Sequence, residues 1–181
     1  MIKLILGLKG SGKTKYLIDN IEEAVKTSEG CVVAIERGAT LRFDVSHDVR
    51  LVDIDEYDIS DFNSFYGFLS GLIAGNYDIS HIFVDATFKI GGRDYDAFAK
   101  MTDKLKRLCD DSNITMTFTA SCEKEDLPER IVNRCNSTKH GRNERKLVRS
   151  GLIYMKGCGC KTDSQYDHPA YMKISNSQQR S

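Results

Sequence analysis

Short apolar runs and longer amphipathic stretches alternate along this chain. Ile2, Leu4, Ile5 and Leu6 form the first run, and Leu17, Ile18, Ile21, Ala24 and Val25 then recur at the spacing of one helix face. Cys31-Val32-Val33-Ala34-Ile35 is a continuous apolar run of the kind buried on both faces in a parallel sheet, and it ends at Glu36. Leu41, Phe43 and Val45 alternate with polar residues, Ser46-His47-Asp48 reads as a turn, and Val49, Leu51 and Val52 resume a strand. That pattern predicts a hairpin insertion. Ser60 or Asp61 is placed to cap a helix with the face Phe62, Phe65, Tyr66, Leu69, Leu72 and Ile73, closed by Gly75 and Asn76. Ile82-Phe83-Val84 is a short strand leading into Asp85. Tyr95, Phe98, Met101, Leu105 and Leu108 mark another helix, and Ile114, Met116, Phe118 and Ala120 alternate with polar residues, mainly threonines, in a further strand.

This alternation predicts an α/β fold: a mostly parallel sheet covered by helices on both faces, with functional loops gathered at the carboxyl ends of the strands. The pattern carries the domain over 1–135. Arg130 to Cys135 completes a helix, 136–143 is polar and turn-like, and 147–155 offers one more edge strand. From Gly157 onward no periodicity is present, so 136–181 reads as an irregular, partly disordered extension.

Charge sharpens that division. The 26 basic and 26 acidic residues balance overall, but residues 1–138 hold 17 Lys and Arg against 23 Asp and Glu, leaving 9 against 3 for the remainder. An acidic body argues against broad nucleic-acid binding by the core. Lys3 and Lys9 interrupt the first apolar run, which falls far short of the ~20 residues that cross a bilayer, so no membrane partner is expected. The expected location is the cytoplasm. Cys31, Cys109, Cys122 and Cys135 are scattered through the candidate core like small buried residues of a reducing compartment.

The chemistry begins between the first strand and the first helix. Gly7-Leu8-Lys9-Gly10-Ser11-Gly12-Lys13-Thr14 is an uninterrupted G-x-x-x-x-G-K-[ST] pattern. Its glycines let the backbone curl so that successive N–H groups converge on one anion-sized hollow, and the following helix adds its positive end. Gly7, Gly10, Ser11, Gly12, Lys13 and Thr14 are therefore the candidate nucleotide-binding residues. Lys13 supplies the charge for the β- and γ-phosphates, and Thr14 a hydroxyl ligand for Mg²⁺. Asp85, ending an apolar strand, is the matching carboxylate for the metal shell. Ala86 follows it where many ATPases place a water-activating Glu. Glu36, ending the strand after the first helix, is the candidate substitute, with a solvated strand-end glutamate as the alternative.

The 7–14 loop, the Cys31–Glu36 strand and the Asp85 strand together resemble the RecA-like division of P-loop NTPases. The stretch from Met1 to about Arg130 also resembles small ATP-binding proteins of Gram-positive bacteria, some of which carry a twitching-motility ATPase label. The resemblance implies that Glu36 orients the attacking water and that Thr119 or Ser121 senses the γ-phosphate.

The expected function is Mg-ATP binding with slow or partner-stimulated hydrolysis, through an unidentified protein partner or self-assembly. One alternative is a small-molecule kinase whose basic lid is Arg142, Arg145, Lys146 and Arg149; another is a non-enzymatic nucleotide switch. No N-K-x-D segment is present, so adenine is favoured over guanine by default. Asp53, Asp55, Glu56 and Asp58 read as a solvated acidic loop, with one of them as an alternative base for a hydroxyl substrate. Arg93, Arg130 and Arg134 read as surface ion-pair residues, with an arginine-finger role as the alternative. Gly91-Gly92 reads as a mobile loop. Cys158 and Cys160 with His168 and Cys135 or His140 supply soft donors for zinc but lack a C-x₂-C knuckle, which favours free thiols in a flexible tail.

Overall fold

The protein is described by a computed structural model covering residues 1–38, 40–135 and 152–154. Five strands are joined by helices in the order β1 (Ile2–Leu6), α1 (Lys13–Thr27), β2 (Cys31–Glu36), β3 (Arg50–Asp53), α2 (Phe62–Gly75), β4 (Ile79–Val84), α3 (Thr87–Gly91), α4 (Tyr95–Ser112), β5 (Thr115–Ala120) and α5 (Glu129–Cys135). A sixth strand, β6 (Leu152–Tyr154), lies within the segment where an edge strand is expected. The sheet order is β3-β2-β4-β5-β1-β6, and every pair is parallel.

Strand periodicity divides the buried residues into two cores. Leu4, Leu6, Val33, Ile35, Ile82, Val84, Met116 and Phe118 face α2 and α4, which contribute Phe62, Phe65, Leu69, Phe98, Met101 and Leu105. Ile5, Val32, Ala34 and Phe83 point to the other face, where α1 covers them with Leu17, Ile21 and Ala24. Each such aliphatic or aromatic side chain, fully buried, contributes about 1.5–3 kcal/mol relative to exposure, so both faces need a helical cover. The threonines of β5 lie opposite Met116 and Phe118. Thr117 and Thr119 are buried rather than solvated, because α1 lies over that face.

The predicted hairpin insertion is absent. Leu41–Phe43 is a single 3-10 turn, and β3 pairs parallel to β2. Leu41 and Val49 are buried against α1's face, whereas Phe43 is 90% exposed, so the alternation around it has no sheet face to serve. Gly91-Gly92 is likewise not a free loop. Gly91 ends α3 so close to Phe62 that an added Cβ would stand 2.3 Å from the ring.

Asp61, not Ser60, caps α2. Its carboxylate accepts from the Asn63 and Ser64 amides at 2.7 and 3.0 Å, and Ser64 Oγ accepts from the Asp61 amide in return. Those bonds lower the Asp61 pKa. Among the described residues no helix is long and apolar enough to cross a membrane.

Topology places the site. The chain leaves β1 toward α1 on one face and leaves β4 toward α3 and α4 on the other, so the connections diverge at the carboxyl ends of β1, β5 and β4, the place where open parallel sheets carry their sites.

Candidate functional site

The 7–14 loop rises from the carboxyl end of β1 into α1. Gly10 (φ 83°) and Gly12 (φ 86°) adopt left-handed backbone, which any Cβ would strain. Gly12 is the N-cap of α1, with no side-chain cap and no acidic residue in the first turn. The leading amides of a 15-residue helix therefore face the loop without a carboxylate of their own. Lys13 is only 8% exposed. Its ammonium donates to Leu8 O at 2.8 Å and to Ser11 Oγ at 3.3 Å, so the loop folds around its own lysine. Burial lowers the Lys13 pKa, opposed by the attraction of Asp85.

A polar chain crosses from α1 to β4 and β5. Thr14 Oγ1 donates toward Asp85 Oδ2 at 3.2 Å and stands 3.4 Å from Oδ1. Thr119 Oγ1 donates to Asp85 Oδ1 at 2.6 Å and accepts from the Ala86 amide at 2.8 Å. Ala86 itself is left-handed (φ 48°, ψ 47°), an uncommon conformation for a residue with a Cβ. Two residues past Asp85, the Thr87 hydroxyl is enclosed and lacks a hydrogen-bond partner among the described residues.

Glu36 lies next to Asp85 at the neighbouring strand end, where the Asp85 amide donates to Ile35 O at 2.9 Å. Its carboxylate, 1% exposed, turns back onto its own loop. Oε2 accepts from the Thr40 amide at 2.7 Å, Thr40 Oγ1 at 2.6 Å and the Leu41 amide at 2.9 Å; Oε1 stands 2.8 Å from that last donor. In this arrangement Glu36 anchors the 3-10 turn at 41–43.

No protein-family model matches the chain, and no curated protein matches it.

The acidic run at 53–58 is exposed at Asp55, Glu56 and Asp58, as a solvated run would be, but its first two members are tied down. Asp53 accepts from the Gly38 and Asp55 amides, and Asp55 pairs with Arg37 at 2.7 Å. Arg37 also donates to Lys89 O, so the segment after Glu36 is tied to β3 and α3 together. Arg130 pairs with Asp96 at 2.9 Å, and Arg93 is exposed. The side chains of Arg134 and Cys135, the basic group at 142–149, and His140, Cys158, Cys160 and His168 lie outside what the structure describes. Cys109 and Cys122 are buried free thiols, pushed up to about 11 and about 12 chiefly by burial, and Cys31 is half-buried.

Gly7, Gly10, Ser11, Gly12, Lys13, Thr14 and Asp85 thus come together, with Thr119 beneath them. The set offers main-chain N–H donors and an ammonium to an anion, and a hydroxyl beside a carboxylate to a hard cation. No cluster of three or more metal-ligating His, Cys, Asp or Glu is present among the described residues. A cation held by Thr14 and Asp85 would complete its shell from water and a bound phosphate, which is how Mg²⁺ usually sits. Reading the sequence missed the anchoring of Glu36 by Thr40 and Leu41. Its only signal was the Thr four residues after a strand-end Glu.

Proposed function

We propose that the protein binds Mg-ATP at the carboxyl ends of β1, β5 and β4 and belongs to the RecA-like P-loop class. The observation that carries this reading is the loop itself. Left-handed glycines, uncapped leading amides of α1 and the buried Lys13 converge where Thr14 approaches Asp85. Lys13 exchanges its bonds to Leu8 O and Ser11 Oγ for phosphate oxygens, while Thr14 and Asp85 hold Mg²⁺. The metal, when bound, neutralises phosphate charge. The RecA-like assignment is supported by β5 lying between β1 and β4, because the resemblance requires the polar end of that strand beside the loop.

A second reading, a non-enzymatic nucleotide-dependent switch, is favoured by one observation. Glu36 is occupied by three donors of its own loop, and Ala86 supplies no carboxylate in its place. Hydrolysis by Glu36 requires the Thr40–Leu41 segment to release it first.

Titration calorimetry tests the shared core of both readings. Wild-type protein should bind Mg-ATP, and Lys13→Ala should weaken binding by at least about a hundredfold, as loss of a charge-assisted contact at a buried phosphate site requires. Unchanged affinity removes the nucleotide assignment. Phosphate release by the isolated protein that is abolished in Lys13→Ala favours the ATPase over the switch.

A further inference from the structure

We propose that Thr119 is a positioning residue that orients the Asp85 carboxylate for the cation, and not a group that touches phosphate; this rests on the Mg-ATP reading above. Three observations carry it. Thr119 is 1% exposed, on the sheet face covered by α1, beside Ile5 in the β1–β5 register. Its single proton goes to Asp85 Oδ1 at 2.6 Å, and it accepts the Ala86 amide at 2.8 Å. A hydroxyl has one proton to give, so none remains for a phosphate oxygen. The residue gripped on the other side is the one held left-handed, Ala86.

The consequence follows from side-chain freedom. The carboxylate torsion of an aspartate is broad and roughly two-fold, so a strand end alone does not decide which oxygen faces the loop. Thr119 engages Oδ1 at 2.6 Å, while Thr14 stands 3.2 Å from Oδ2 and 3.4 Å from Oδ1, so Oδ2 is the oxygen that Thr119 does not take. By holding the Ala86 amide it also fixes the turn that aims the Asp85 side chain. Groups that orient a metal ligand in this way typically change metal affinity by about 10–100-fold when removed.

Calorimetry with ATP in excess Mg²⁺ and with ATP in a chelator separates this role from a phosphate contact. Wild type should bind the magnesium complex at least about tenfold more tightly than free ATP. Thr119→Val, of nearly equal volume, should cut that ratio to about threefold or less and leave metal-free affinity within about twofold, and Thr119→Ser should restore the ratio. If Thr119→Val does not fold, Thr119→Cys keeps the volume with a weak donor and should show the same loss. A variant that keeps the full magnesium preference overturns the assignment while the nucleotide reading stands. Equal loss with and without metal also overturns it, in favour of a direct phosphate contact. Wild-type protein that binds no nucleotide ends both.

Discussion

His81 shows how a single residue carries a pH dependence into a strand. It sits half-buried on β4, its ring stacked on Phe83 with centroids 6.0 Å apart and Nδ1 3.1 Å from Ser80 Oγ. Burial lowers its pKa, and the positive charges of Lys3 and the N-terminal ammonium lower it further. The unfolded chain therefore holds a proton on His81 at pH values where the folded chain does not. The stability from a neutral His81 is present above the unfolded value of 6.5 and is lost as pH falls through that value toward the lower folded one. Thermal unfolding at pH 7.5 and 5.5 should show a smaller loss on acidification for His81→Gln than for wild type. The difference should stay under about 1 kcal/mol, because the site is partly solvated. Equal losses in the two proteins dismiss His81 as the source. Asp61 and Asp110, whose pKa values are also lowered, titrate well below this window and do not confuse it.

At the scale of the element, helix α2 carries a cost that its neighbours do not explain. Gly67 and Gly71 stand inside the helix, and a Cβ on either would meet no atom within 4 Å beyond its chain neighbours and the helix's own backbone. They border an open surface depression lined also by Arg50, Val52, Tyr57, Phe68 and Leu72. Glycine in a helix interior costs roughly 0.5–1 kcal/mol against alanine. Gly67→Ala and Gly71→Ala should therefore each raise the melting temperature by roughly 1–4 °C, read by circular dichroism. Gly91→Ala should do the reverse by about 1–3 kcal/mol, because its methyl meets the Phe62 ring packed among Phe88 and Phe98. If Gly67→Ala destabilises instead, that face of α2 is covered in solution and has no room for a methyl group. Helix faces and caps such as Asp61 were legible in the sequence because spacing within one element fixes them. The 41–52 segment was not. Leu41 and Val49 are buried by α1, an element far away in sequence, and the alternation through the exposed Phe43 copied a strand by coincidence.

For the whole molecule, the same distinction separates the loop from its surroundings. The glycine and lysine spacing at 7–14 acts within eight consecutive residues, so the sequence revealed it, and Asp85 followed from its place at a strand end. What Glu36 and Thr119 do depends on which elements close over them. Glu36 turns to Thr40 and Leu41, and Thr119 lies under α1, so a strand-end carboxylate and an alternating threonine acquire roles that no periodicity encodes. Strand order is a long-range property of the same kind, and it governs where stability resides. β5 is hydrogen-bonded on both sides, to β4 and β1, and carries buried side chains on both faces. Among the described residues β3 pairs only with β2, through four residues, and Arg50 on it is exposed. Backbone amides open in units set by such packing. The amides of Met116–Phe118 and Ile82–Val84 should exchange with deuterium only through global unfolding, whereas those of Arg50–Asp53 should exchange at least about tenfold faster through local opening of the edge. Equal protection of β3 and β5 by mass spectrometry would mean that this edge is covered in solution, and the outer strand would then have to be placed inside the cooperative unit.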